Sequence, residues 1–129
     1  KSVSPAGLEE RLNTHPLISH GIVVGDQRPF IAALVTIDEE AWPRWLATNH
    51  RPADTTIEEL REDPQLVAEV QQAIDWANQA VSRAESIRAF RILPRGLSQE
   101  RDELTPTMKV RRSVVQREYA DEIESIYRN

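Results

Sequence analysis

The sequence predicts an α+β domain: a small, mostly antiparallel three-stranded sheet containing a β-hairpin, covered by several helices. Three observations predict it. Two β-branched runs, "LISHGIVVGD" and "RPFIAALVTID", are separated by a short polar break, as in a hairpin. Apolar residues then recur at helical spacing from Leu66 onward. A third strand-like run, "SIRAFRIL", alternating through Ile87, Ala89 or Phe90, and Ile92, follows only after that helix, and a final amphipathic stretch closes the chain. The 129 residues fit one domain that can bury a core without cross-links.

Each element has its own warrant. Ser4-Pro5 reads as an N-cap followed by proline in the first helical turn, with Val3 and Leu8 placed as a hydrophobic staple. The first helix is expected from Pro5 to about Asn13, with Leu8 and Leu12 inward. In the hairpin, Asp26 and Gln27 form the turn, and Pro29 opens the second strand, where a missing donor is tolerated. "DEEAWPRWLATN" has helical composition, but Pro43 requires its helix to begin near Ala41 or to kink. "RPADTT" is a loop, and "TIEELRED" is one or two helical turns.

Asp63-Pro64 opens the clearest helix, in which Leu66, Val70, Ala73, Ile74, Ala77 and Val81 keep their spacing to about Arg83. "SIRAFRIL" is the third strand, and "PRGLSQERDE" is a polar loop. The last helix is expected from about Arg111 to Tyr127, with Val115, Tyr119, Ile123 and Ile126 as its apolar stripe.

Composition excludes several functions. A net charge of −5 leaves Arg111, Arg112 and Arg117 too small a basic group for nucleic-acid binding. The absence of cysteine excludes disulfides and thiolate metal sites. His15, His20 and His50 lack the spacing of metal ligands, so no metal site is expected. Gly25-Asp26 is a turn, since one glycine makes no phosphate cradle. Asp38, Glu39 and Glu40 read as a charged helix start, and Trp42, Trp45 and Trp76 as core, with an exposed patch as the alternative. No apolar run reaches the length of a membrane span and no signal peptide opens the chain, so a cytoplasmic setting is expected. The sequence enters its first helix abruptly, which suggests a piece of a longer protein.

The remaining feature is "LTPTMKVRR", Leu104 to Arg112. The chain has fourteen arginines and two lysines, Lys1 and Lys109. Arginine and lysine are not interchangeable at a site. From the residues alone, two readings of Lys109 stand: a solvated charge ahead of a helix, or the cation of an anion-handling loop. For the second, Thr105 and Thr107 offer hydroxyls, Pro106 stiffens the turn, and Arg111 and Arg112 add positive potential.

"LTPTMKVRR" resembles the C-terminal lysine motif of the acyl-adenylate-forming enzymes, in the variant found in long-chain fatty acyl-CoA synthetases. The usual pattern is Thr-x-x-Gly-Lys-Ile-x-Arg. Lys109 matches the lysine, Val110 the aliphatic residue, Arg112 the arginine, and Thr105 or Thr107 the threonine. Met108 departs from it, standing where most of that superfamily has glycine. "SVSPAGLEERLNTHPLISHGIVVGDQRPFIAALV" resembles the segment just after the hinge of the same enzymes. Pro5, Leu8, Glu9, His15-Pro16, Val23-Val24-Gly25-Asp26 and Arg28-Pro29-Phe30 carry that match. Residues from about Trp42 to Arg83 would be the helical insertion of the long-chain group.

The resemblance implies that residues 1–129 are one mobile C-terminal lid domain of an AMP-forming fatty acid–CoA ligase, with the N-terminal catalytic domain as its partner. Such enzymes join a fatty acid to AMP using ATP and Mg2+, then transfer the acyl group to coenzyme A. It implies Lys109 as the adenylation lysine, with Thr105, Thr107 and Arg112 supporting its loop. ATP and Mg2+ would be bound mainly by the absent domain. Lys1 and Ser2 would lie on the coenzyme A side; Ser2 stands where many relatives have an arginine. A peripheral contact with the inner face of the membrane is a further expectation for the whole enzyme. The alternative is a non-catalytic α+β interaction module that uses its long helix or a tryptophan-bearing face.

Overall fold

A computed structural model describes residues 5–128. The chain divides into two units, Lys1–Gly96 and Leu97–Asn129.

In the first unit, α1 spans Pro5–Asn13 and buries Leu8 and Leu12, as its spacing requires. The expected cap at Ser4 and staple at Val3 lie outside the described residues. Strands β1 (Ile18–Val24) and β2 (Ile31–Ile37) pair antiparallel, from Ile18↔Ile37 to Val24↔Ala32, with an irregularity between Ile18 and His20. Gly21 lets α1 lie close to β1: a Cβ there would stand 2.5 Å from Leu12 Cδ1. In the turn, the Arg28 N–H donates to the Gly25 carbonyl at 2.9 Å, and Gln27 has φ 60° at the third position, the type II pattern. Pro29 does not open the strand as expected but lies in the bend after this turn, so β2 begins at Ile31 and the missing proline donor lies outside the ladder.

Helix α2 spans Trp42–Thr48, with Ala41 as N-cap and Pro43 in the first turn, where no intrahelical N–H is lost. Helix α3 (Ile57–Leu60) opens on a capping box: Thr56 Oγ1 accepts from the Glu59 N–H at 3.1 Å, and Glu59 Oε1 accepts from the Thr56 N–H at 2.9 Å. Helix α4 spans Pro64–Asn78 and buries Leu66, Val70, Ala73, Ile74 and Ala77. It stops at Asn78, before the expected Arg83. The Asn78 amide grips the backbone of Ile87, donating to its carbonyl at 3.0 Å and accepting from its N–H at 2.8 Å. That clasp holds the start of β3 beside the helix end, and a single 3-10 turn, Arg83–Glu85, spans the gap.

Strand β3 (Ile87–Ile92) pairs parallel with β2, giving the order β1-β2-β3. The sheet is therefore mixed. The segment holding α2, α3 and α4 is the crossover that parallel pairing needs. β2 is the central strand, and Ala32 through Ile37 are all buried. Trp42 and Trp45 stack in the core with ring centroids 5.1 Å apart. Trp76 differs from the expectation: it is 44% exposed, with the Arg11 guanidinium 3.9 Å above its ring.

Asp63 caps α4 by accepting from the Gln65 and Leu66 N–H groups, and its carboxylate bonds Arg51 at 2.9 Å. The Arg51 hydrogen bond, joined by those two N–H groups, outweighs the cost of burial and holds its pKa below the ordinary 3.8. A folded-state pKa below the unfolded one stabilises above the unfolded value and is lost as pH falls through the folded one. Asp63→Ala should cost about 1 kcal/mol at neutral pH. Urea unfolding should show that deficit shrinking once the pH drops below 3.8.

The second unit carries a turn-rich segment, then α5 (Arg112–Glu118) and α6 (Ala120–Tyr127). One helix was expected here. Tyr119 breaks it with φ −105° and ψ 29°, outside the helical well, while its ring is buried and Val115 and Ile126 are buried on either side in sequence. No helix among the described residues is long and apolar enough to cross a membrane.

Candidate functional site: a lysine at a hairpin tip

Residues 103–111 form a short hairpin. At its base the Arg111 N–H donates to the Glu103 carbonyl at 2.8 Å. Leu104 and Val110 form an antiparallel bridge above it. Near the tip the Thr105 N–H donates to the Lys109 carbonyl at 2.8 Å, and the Met108 N–H donates to the Thr105 carbonyl at 2.8 Å. Pro106 therefore sits at the second turn position, which its fixed φ suits. Met108 follows with φ 68°. A turn followed by one left-handed residue is the three-residue hairpin loop that ends in a G1-type bulge, where glycine is the natural occupant.

This geometry gives the "LTPTMKVRR" pattern its physical sense. A glycine before the lysine would take the left-handed conformation freely. Met108 takes it at a cost of roughly 1–2 kcal/mol. Its side chain is 55% exposed, and its sulfur accepts from Gln99 Nε2 at 3.1 Å. Thr105 Oγ1 accepts from the Lys109 N–H at 3.0 Å and lies 3.1 Å from Thr107 Oγ1. The two threonines brace the tip.

Lys109 is exposed, and among the described residues no acidic side chain pairs with its ammonium. The hairpin thus holds the lysine backbone firmly and leaves the cation outward. Such an arrangement can present one positive charge to an anion that approaches from outside the unit. Arg111, by contrast, is occupied: its Nη1 bonds Asp102 Oδ1 at 3.0 Å across the hairpin base. Arg112 is exposed and starts α5, beyond the hairpin. Thr105, Thr107 and Lys109 are brought together as the motif suggested. Lys1 and Ser2 lie outside the described residues.

Sequence reasoning passed over Glu103. It is fully buried at the hairpin base. Its Oε1 accepts from the Ser98 N–H at 2.8 Å and lies 3.3 Å from Arg101 Nε, while the Glu103 N–H donates to the Ser98 carbonyl at 3.0 Å. Burial works against its ionisation and Oε2 has no hydrogen-bond partner, but the neighbouring Glu118 carboxyl, the Ser98 N–H and Arg101 outweigh burial and hold the group below the usual carboxylate range. Nothing in the local sequence sets it apart from the other acids of the polar loop before the motif.

Comparison with known proteins bears on what this hairpin serves. Residues 1–129 match a family model described as the AMP-binding enzyme C-terminal domain. The chain is 53% identical over 127 residues to the long-chain-fatty-acid–CoA ligase FadD15 of Mycobacterium tuberculosis, a match covering 98% of this chain and 21% of that protein. It is 30% identical over 147 residues to the long-chain-fatty-acid–CoA ligase ACSBG2 of Mus musculus, covering 98% of this chain and 22% of that one. The chain thus spans only 21% to 22% of the length of these relatives. Among solved structures, the adenylation domain of a carboxylate reductase from Mycobacterium chelonae aligns with a TM-score of 0.71 over 97% of this chain and 18% of that one. At 20% identity that likeness is one of fold.

Proposed function

We propose, on the premise that this chain belongs to the AMP-binding enzyme C-terminal domain family, that it is the mobile lid of an AMP-forming long-chain fatty acid–CoA ligase. Lys109 is its adenylation lysine. The carrying observation is the hairpin that fixes the Lys109 backbone and leaves the ammonium exposed. The 53% identity to a long-chain-fatty-acid–CoA ligase supports the choice of substrate class.

In adenylation, a fatty acid carboxylate oxygen attacks the α-phosphorus of ATP and pyrophosphate leaves. Two anions must approach one another. A cation already in place offsets their repulsion and the charge that develops in the transition state. The braced tip supplies it without reordering the loop at the moment of reaction, since Thr105 already accepts the Lys109 N–H. Arg112 adds positive potential nearby in sequence. The lid then turns, the coenzyme A thiol attacks the acyl carbonyl, and AMP leaves.

ATP is held mainly by the larger N-terminal domain. So is Mg2+ on this reading, and the described residues of this chain include no group of three His, Asp or Glu placed to hold a metal ion. We place the enzyme in the cytoplasm, and recovery in the soluble fraction on cell fractionation is the expected result.

The direct test is fatty-acid-dependent pyrophosphate release by the full-length protein, which the proposal requires. A gene that encodes this domain alone, with no such release, would turn the reading to an interaction module. By itself the 129-residue chain should give no heat of binding on calorimetric titration with ATP at micromolar protein. Micromolar binding would place an ATP site in the wrong domain.

A further inference from the structure

We propose that Glu103 is a positioning residue for the adenylation step: a buried carboxylate that locks the root of the lysine hairpin so that Lys109 is delivered in one place. The inference rests on the reading of Lys109 given above and adds a residue to it.

A fully buried carboxylate is costly unless its oxygens are satisfied; Oε1 is held, while Oε2 is buried with no hydrogen-bond partner, so the fold keeps this acid at a cost. Glu103 holds two things. Through Oε1 and its own N–H it grips Ser98 at both the N–H, at 2.8 Å, and the carbonyl, at 3.0 Å, closing the turn that leads into the hairpin. Through its carbonyl it takes the Arg111 N–H at 2.8 Å, closing the hairpin base from the other side. One residue therefore ties the incoming turn to the outgoing strand.

The rungs continue upward without a gap. Asp102 pairs with Arg111 at 3.0 Å, Leu104 bridges Val110, and Thr105 holds Lys109 by two hydrogen bonds. Asp102 takes φ 64° to let the turn close, so strain is stored on the turn side of the grip. Arg101 Nε at 3.3 Å and the Glu118 carboxyl are the charged and titratable groups that face the Glu103 carboxylate. Loosening this root moves a lysine whose value depends on where its charge sits, and displacement of about 1 Å can cost roughly a hundredfold in rate.

The experiment uses the full-length ligase and measures both half-reactions. Glu103→Gln keeps the shape but removes the charge that faces Ser98 and Arg101. The expected result is a ten- to hundredfold fall in kcat for adenylation. KM for ATP and fatty acid should stay within about twofold, and thioester formation from supplied acyl-adenylate should be unchanged. In a Lys109→Ala background, Glu103→Gln should lower residual adenylation no further, because the two act as one unit.

Equal losses in both half-reactions, or the same fractional loss with and without Lys109, would overturn the proposal and leave Glu103 a scaffold residue. Should Glu103→Gln prove insoluble, Arg101→Ala removes the guanidinium partner at the exposed rim. A several-fold loss in adenylation alone supports the proposal, and wild-type adenylation overturns it. If Lys109→Ala itself adenylates normally, the reading of Lys109 fails and this inference fails with it. If Lys109→Ala is dead and Glu103→Gln is normal, only this inference fails.

Discussion

On the proposed function, Lys109→Ala in the full-length protein should lower adenylation by about a hundred- to a thousandfold, or about 2.7–4 kcal/mol of transition-state stabilisation. The size follows from the site. The ammonium lies outward at a braced tip, so its removal leaves the hairpin rungs intact. Folding stability should be nearly unchanged, since among the described residues the ammonium has no acidic partner to lose. Lys109→Arg should rescue adenylation poorly. Arginine keeps the charge but spreads it over a wider planar fork, while the proposed adenylation asks for one compact charge between carboxylate and phosphate. Pyrophosphate release in a single turnover reads the effect directly.

The second large effect is on stability. Trp45→Ala should destabilise the first unit by about 3–5 kcal/mol. Trp45 is only 6% exposed and stacks nearly parallel to Trp42, with an interplanar angle of 5°. Its Nε1 donates to Glu69 Oε1 at 2.7 Å, which ties α2 to α4. Arg51 also lies 5.6 Å above the ring. Truncation would open a cavity at the centre of the helical layer and strip Glu69 of a donor. Trp76→Ala is the contrasting control. That ring is 44% exposed, and its loss should cost no more than about 1 kcal/mol. Urea unfolding of the two variants, compared at equal m-value, separates them.

Much of this was written in local sequence. Leu8 and Leu12 placed α1, Pro43 set the start of α2, and the two β-branched runs placed the hairpin, because each signal involves residues only a few positions apart. What stayed hidden depended on distant partners. The end of α4 is decided by Asn78 clasping Ile87, nine residues on, and helical spacing is blind to that. The parallel pairing of β3 is decided by where a crossover returns the chain. Tyr119 keeps the apolar stripe of a single helix, yet its backbone leaves the helical well.

The site divides along the same line. Lys109, Thr105 and Thr107 were legible because the motif is contiguous and Pro106 marks its turn. The oddity of Met108 was visible as a letter, but its cause, a positive φ in the bulge, needed the backbone. Glu103 was unreadable: nothing local distinguishes an acid buried under a hairpin from the other acids of a charged loop. The Arg111 bond to Asp102 across the hairpin base was likewise visible only in the structure.

The measurement that bears most directly on the central claim is thioester formation by full-length Lys109→Ala from supplied acyl-adenylate and coenzyme A. A lysine brought in only for the first step should leave that rate at the wild-type value while adenylation is lost. A thioester rate reduced as far as adenylation would contradict the claim, and so would normal adenylation.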